Sequence, residues 1–285
     1  MTQLTITPYT PGMAIQAPCI ISGMPNEVYH ASEGISKSGL DLVNRSPAHY
    51  LYSVRKDPTR AMAIGTAIHA AVLEPELFAS QYLLLKDVTD RRSSEYKQAC
   101  KAHDPELVLT GAEAERVAGM QEAVLSNPHA ADYLRQDNGW VELSVFAIDP
   151  ATGVLCKCRF DKLTADLVAV DLKKTQDGKD RAFSRTMANY RYYVQAAFYT
   201  DVFMWATGLE LQKFIFLAVE EEFPHFNKPW LVADDSYIVG RAEYRADLDA
   251  YAQSKADDYW PLPDQSEEYI FLPEWLQPCL SEESF

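Results

Sequence analysis

Asp161 closes the run Cys158-Arg-Phe-Asp161, and nine residues further on stands Asp171-Leu-Lys173. Side chains alternate across a strand, so residues two apart point the same way. Asp171 and Lys173 therefore share a face, while Lys174 must point to the opposite one. Asp161 joins the shared face if the turn near Thr164-Ala-Asp166 holds an odd number of residues. Two carboxylates and a lysine so placed can hold a hard, oxygen-seeking cation and neutralise charge on a phosphate under attack. Asp-x-Lys alone fits a solvated edge strand equally well.

Two further pairs have chemical potential. Gly65 and His69 lie four apart in the small-residue, apolar stretch 61–75, which reads as a helix closed at Pro75. They share a face, where glycine would permit close backbone approach. Gln195 and Tyr199 repeat that spacing inside a helical stretch from about 181 to 206. Each pair has a plainer reading: a satisfied core histidine, and an amphipathic helix packing its aromatics inward.

The elements that must position these residues follow from pattern and punctuation. Residues 1–31 are expected to wrap the molecule as extended chain. Ser36 opens a helix as its N-cap, and Pro47 starts a second one through Tyr52. Residues 77–88 begin as helix and end as strand, 87–104 are polar and include a mobile surface loop, and 112–127 form a helix. A short helix follows Pro128. Residues 141–148 and 154–163 read as a hairpin about Asp149-Pro-Ala-Thr-Gly153. Residues 167–172 deliver Asp171, Gly208 stops the Gln195 helix, 213–219 is a strand, and 236–258 is a charged final helix. The expected fold class is α/β, a central mixed β-sheet flanked by helices, with the site at strand ends.

In this order the motifs resemble the RecB-like branch of the PD-(D/E)xK nucleases, and most closely the RecE-type exonucleases. Tyr29-His-Ala, Ile35-Ser-Lys-Ser38, Ser46-Pro-Ala-His-Tyr50, Gly65-Thr-Ala-Ile-His69, Leu73-Glu-Pro75, Cys156-Lys-Cys-Arg-Phe-Asp161 and Tyr190-Arg-Tyr-Tyr-Val-Gln195 carry the resemblance. It runs from about residue 24 to residue 208. It implies a Mg²⁺ site held by His69, Asp161, Asp171 and the backbone carbonyl of Leu172. Mn²⁺ is expected to substitute, given an imidazole among the ligands. Lys173 would orient the attacking water or stabilise charge on the phosphorane. Gln195 and Tyr199 would hold the nucleic acid and the Lys173 region. Glu142, on the first hairpin strand, either completes a second metal site or is a solvated strand residue. Ser36, Lys37 and Ser38, with Arg45 nearby, form either a plain N-cap or a pocket for a strand's 5′-phosphate. The implied activity is 5′→3′ digestion of double-stranded DNA from its ends. It would be carried out by a homo-oligomeric ring and leave 3′ single-stranded tails for a RecT-type annealing protein. Some relatives carry an iron–sulfur cluster; their cysteine grouping is missing here, and no cluster is expected.

Composition sets independent bounds. The 285 residues can bury one substantial core, so a single nuclease domain is expected over 1–285. Its core would span about 24–220, and 221–285 would form an acidic, helical C-terminal extension. No apolar run approaches a membrane span and no leader pattern is apparent, which points to a soluble, cytoplasmic protein. Five scattered cysteines make no disulfide framework. The net charge of −15 is unusual for a DNA-binding protein. It is uneven, however: from residue 210 onward there are seventeen acidic and five basic residues. By contrast, 36–60 (Lys37, Arg45, Arg55, Lys56 and Arg60 among them) and 171–191 each carry +3. An endonuclease using the same residues, or an acidic interaction module that keeps the fold without the chemistry, are the rival readings.

Overall fold

The structure is a computed structural model that describes residues 4–54 and 57–271; Arg55, Lys56 and Cys279 lie outside the described residues. The chain opens with β1 (Thr7–Pro8), β2 (Cys19–Ser22) and α1 (Asn26–Ala31), followed by α2 (Lys37–Arg45) and α3 (Pro47–Leu51). Next come α4 (Arg60–Leu73), α5 (Pro75–Gln81), β3 (Leu83–Leu85), α6 (Ser94–Ala102), β4 (Val108–Thr110), α7 (Gly111–Leu125) and α8 (Ala131–Leu134). The hairpin β5 (Trp140–Ile148) and β6 (Leu155–Leu163) leads into β7 (Val168–Thr175), α9 (Asp180–Asn189), α10 (Tyr192–Thr207) and β8 (Lys213–Glu220). β9 (Asn227–Leu231) and α11 (Asp234–Asp257) complete it.

Helix ends follow the local chemistry. Ser36, Thr59 and Ser93 each accept a backbone N–H in the first turn of α2, α4 and α6. Thr110 and Glu113 form a reciprocal capping box on α7. Gly208 ends α10 in the left-handed conformation that glycine adopts without steric cost.

Seven strands form one mixed sheet in the order β1-β2-β5-β6-β7-β8-β9. β7 and β8 run parallel because α9 and α10 carry the chain back between them. β8 is apolar on both faces between its ends, and β7 is apolar apart from Asp171 and its last three residues. On one face, Ala169, Phe214, Phe216 and Ala218 pack with α2, α10 and α11 through Leu40, Phe198 and Tyr244. On the other, Val168, Val170, Leu172, Ile215 and Leu217 pack with α4 and α7 through Ile64, Ile68 and Met120. Each fully buried Val, Leu, Ile or Phe contributes roughly 1.5–3 kcal/mol. The strand carrying Asp171 and Lys173 is therefore clamped far more firmly than the site's own polar contacts could hold it.

Three expectations are corrected and one, for 87–104, is refined. The stretch 181–206 is two helices, broken at Tyr190-Arg191. Arg191 sits there at φ 52°, with its guanidinium held by Asp41 of α2 and by Glu243 and Asp247 of α11. Pairing with acids from two other helices outweighs local helix propensity. Within the polar stretch 87–104, Ser93 nucleates α6, whose Tyr96 is buried. The chain beyond 220 is not purely helical, because β9 pairs with β8 at the sheet edge. Pro229 hides it from a strand pattern, and an edge is where a proline is tolerated. Finally, Gly65 serves no close helix contact, since a Cβ there would meet nothing within 4 Å.

Candidate active site

The site forms where β6 and β7 part. They pair only at Lys162 with Val170 and Leu163 with Ala169, which encloses an odd number of turn residues and sets Asp161 opposite Asp171. Beyond that point β7 stays paired with β8 alone. The amide of Leu172 thus lacks a ladder partner on the β6 side, and Asp161 Oδ2 accepts it at 2.8 Å. One carboxylate both ends the ladder and enters the fork, and the Leu172 peptide lies against it.

Glu142 occupies the matching position on β5. Val141 pairs with Lys162 and Leu143 with Phe160, so Glu142 faces Asp161 across a gap in the ladder. Its φ of 47° lies in the left-handed region. The alternation of faces slips there: Leu143 and Val145 pack in one layer, Val141 against the other, and Trp140 again with the first. Such a conformation costs of order 1–3 kcal/mol in a residue with a Cβ and persists where the surroundings impose it. Three adjacent strands thus present Glu142, Asp161 and Asp171 in one row.

Side chains from the helices complete two overlapping groups. In the first, His69 of α4 places Nδ1 3.3 Å from Asp161 Oδ2. One ligand atom each from His69, Glu142 and Asp161 lies within 4.8 Å of the others. In the second, Lys173 Nζ meets Asp171 Oδ1 at 2.5 Å, and Gln195 Nε2 of α10 donates to both Asp171 oxygens at 3.1 Å. Tyr192, at the start of α10, covers the Lys173 ammonium, with Nζ 4.6 Å from its ring centroid. Lys174 turns away and pairs with Glu221.

The electrostatics describe crowded anions. Burial, and then the neighbouring Asp161, push Glu142 up to about 8. Burial and Asp171 push Asp161 up to about 6, with His69 and Lys173 pulling the other way. Burial works against the Lys173 ammonium, but Asp171 and Asp161 outweigh it, so Lys173 is a charged donor and not a base. The donor set fits a divalent cation. Ligands at about 2.1 Å on opposite sides of an ion are about 4.2 Å apart, comparable with the spread of the first group.

The other expected residues are placed as follows. Tyr199 packs its ring edge-on against Phe160 and Phe214, one turn beyond Gln195, where burial pushes its hydroxyl well above the usual range. Ser36 accepts Gly39 N–H as a plain N-cap and lies 2.9 Å from the Ser38 hydroxyl. Lys37 is committed to the Tyr190 carbonyl at 2.5 Å and to Asp41 at 2.7 Å. Ser36, Ser38 and Arg45 do line a groove of about 1210 Å³, together with His49, Lys157, Met62 and Thr66. Met62 and Thr66 share a face of α4 with His69. Cys156 and Cys158 are buried and unbridged.

Residue-level reasoning missed two contributors. Arg159 reaches Glu142 at 3.6 Å and sits over the Tyr29 ring. Tyr192 was legible in principle, three residues before Gln195 on one helix face.

Comparison with known proteins places this geometry. No curated protein matched. Among solved structures, a "Putative exonuclease" from Eubacterium rectale superposes with a TM-score of 0.63 at 12% identity, covering 88% of this chain and 95% of that one. At that identity the likeness is one of fold. SSO0001, at 13% identity over 73% of this chain and 84% of its own, has a TM-score of 0.29 and carries no argument. A family model matches residues 36–271, a span holding every carboxylate, lysine and glutamine of the fork, and the chain belongs to that family, the PDDEXK-like domain of unknown function (DUF3799).

Proposed function

We propose that this chain is a metal-dependent 5′→3′ exonuclease of double-stranded DNA. In this reading it resembles the RecE type and leaves 3′ single-stranded tails for strand annealing. The observation that carries the reading is the fork itself: Asp161, Asp171 and Lys173 on facing strands, joined by Glu142 and His69. No simpler structural need explains three carboxylates in a row, with the protonation of Glu142 and Asp161 raised and Glu142 on strained backbone.

His69, Glu142 and Asp161 would hold the cation, with Asp171 beside them. Mg²⁺ is the expected ion, and Mn²⁺ suits the imidazole. When bound, it supplies Lewis acidity to a water molecule and to the scissile phosphate. Hydrolysis forms one water O–P bond and breaks the P–O3′ bond; the water gives up a proton and the 3′-oxygen gains one. Lys173 Nζ, kept charged by Asp171, orients the water and meets negative charge as it develops on the phosphate oxygens. Gln195 fixes the Asp171 carboxylate through both oxygens, and Tyr192 screens the ammonium from bulk water. The groove lined by Ser36, Ser38 and Arg45 would receive the 5′-ended strand. A homo-oligomeric ring and a RecT-type partner complete the proposal and rest on the sequence resemblance. Among the described residues no helix is long and apolar enough to cross a membrane.

Linear duplex with a labelled 5′-phosphate, digested with Mg²⁺ by wild type and Lys173→Ala, tests the proposal, with closed circular duplex as control. Strand loss from the 5′ end is expected in wild type and not on circles. The variant should be slower by at least about a hundredfold. Cleavage of circles would assign an endonuclease, and loss from the 3′ end would reverse the polarity.

A further inference from the structure

The corner between α9 and α10 does more than break a helix. Tyr190 stands there with 62% of its surface exposed. Its ring is stacked on Tyr192 at 5.6 Å and 16°. Tyr192 in turn lies over the Lys173 ammonium, and Lys173 pairs with Asp171. A continuous stack thus runs from the Asp171–Lys173 pair out to an exposed aromatic face. The backbone beneath that face is rigid. Tyr190 N–H donates to Thr186, its carbonyl accepts Lys37 Nζ at 2.5 Å, and Arg191 is pinned by three acids.

Resting on the nuclease reading above, we propose that Tyr190 is a stacking platform for the nucleobase next to the scissile phosphate. A single exposed aromatic is unremarkable by itself. This one extends a stack whose inner end touches Lys173, the donor proposed to meet that phosphate. A base offers its flat face to a ring where its stacking neighbour is missing, as at the end of a duplex. The proposal therefore assigns the substrate's form: a DNA end, with its terminal base laid on Tyr190. Aromatic stacking is tolerant of base identity, so the platform suits an enzyme that must digest any sequence.

The test uses the full chain with two kinds of DNA end. A duplex with 2-aminopurine at the 5′-terminal nucleotide of the cleaved strand is titrated in Ca²⁺, and stacking is read as fluorescence quenching. A second duplex carries an abasic site at the same position, and single-turnover cleavage is measured in Mg²⁺. Wild type and Tyr190→Phe should quench the probe and cleave the abasic end about tenfold more slowly than the intact one. Tyr190→Ala should lose the quenching, cleave the intact end about tenfold more slowly than wild type, and show no further loss on the abasic end. Tyr190→Ala indistinguishable from wild type on both ends, or Tyr190→Phe as impaired as Tyr190→Ala, would overturn the platform while the nuclease reading stands. Quenching by wild type without cleavage of any DNA would overturn the nuclease reading and support the platform as a binding surface. Neither quenching nor cleavage would overturn both.

Discussion

The Gln195 side chain makes two hydrogen bonds, both to Asp171. Gln195→Ala would free that carboxylate to rotate while leaving Lys173 in place. Loss of such a supporting partner typically costs ten- to a hundredfold, so turnover should fall by about tenfold with the fold intact, as steady-state digestion and circular dichroism would show. The crowded acids make a second prediction. Glu142 rises from an ordinary 4.5 to about 8, and Asp161 from 3.8 to about 6. Both are raised, so in the metal-free protein their contribution to stability is fully present below the unfolded values. It is lost as pH climbs through about 6 and then about 8. A cation competes with those protons, so Mg²⁺ should raise the melting temperature more at pH 8 than at pH 6. Thermal melts with and without EDTA at the two pH values check this; an equal rise at both would remove Glu142 from the ligand set.

At the scale of elements, α4 contains a glycine that packing does not demand. Gly65 has open space where a side chain would stand, on the face shared with His69. Glycine inside a helix costs about 1 kcal/mol relative to alanine. Gly65→Ala should therefore stabilise the free protein by about that amount in urea unfolding. If the DNA backbone passes close to this face, the same change should weaken DNA binding. The elements also show what the sequence could reveal. The hairpin, β7, the two-sided apolar β8 and the helix stop at Gly208 were legible because periodicity and punctuation agree there. The break at Arg191 was not, because its cause is three acids from α2 and α11, far away in sequence. Glu142 was half legible: its strand was clear, but the slip of faces that turns it toward Asp161 depends on backbone strain. The Lys37 pocket reading was incomplete for the same reason, since the Tyr190 carbonyl that engages it lies 153 positions away.

Across the whole molecule, segments far apart in sequence meet at the groove. Trp260 stacks on Tyr50 of α3 at 5.9 Å and 17° and meets Tyr251 of α11 edge-on. The Pro261 carbonyl accepts Ala48 N–H at 3.1 Å, and Leu262 lines the groove. Trp260→Ala should loosen α3 without disturbing the sheet. Hydrogen exchange would show faster exchange of the Ala48 and Tyr52 amides and unchanged protection in β7 and β8. Unchanged protection at Ala48 would show that α3 docks by itself. Acids of the C-terminal third reach into the basic stretch 171–191, where Glu221 pairs with Lys174, and Glu243 and Asp247 with Arg191.

That meeting of distant segments carries a cost in time. Asn44 of α2 hydrogen-bonds Asp247 of α11, a partner 203 residues later. At translation speeds of 5–20 residues per second, α2 waits roughly ten to forty seconds for that partner to be made. Tyr50 of α3 waits comparably for Trp260. The carboxylate fork, built from closely spaced strands, can assemble well before α2 and α3 meet these late partners. A nascent chain would thus possess its acids before the helices beside the groove are fastened in place.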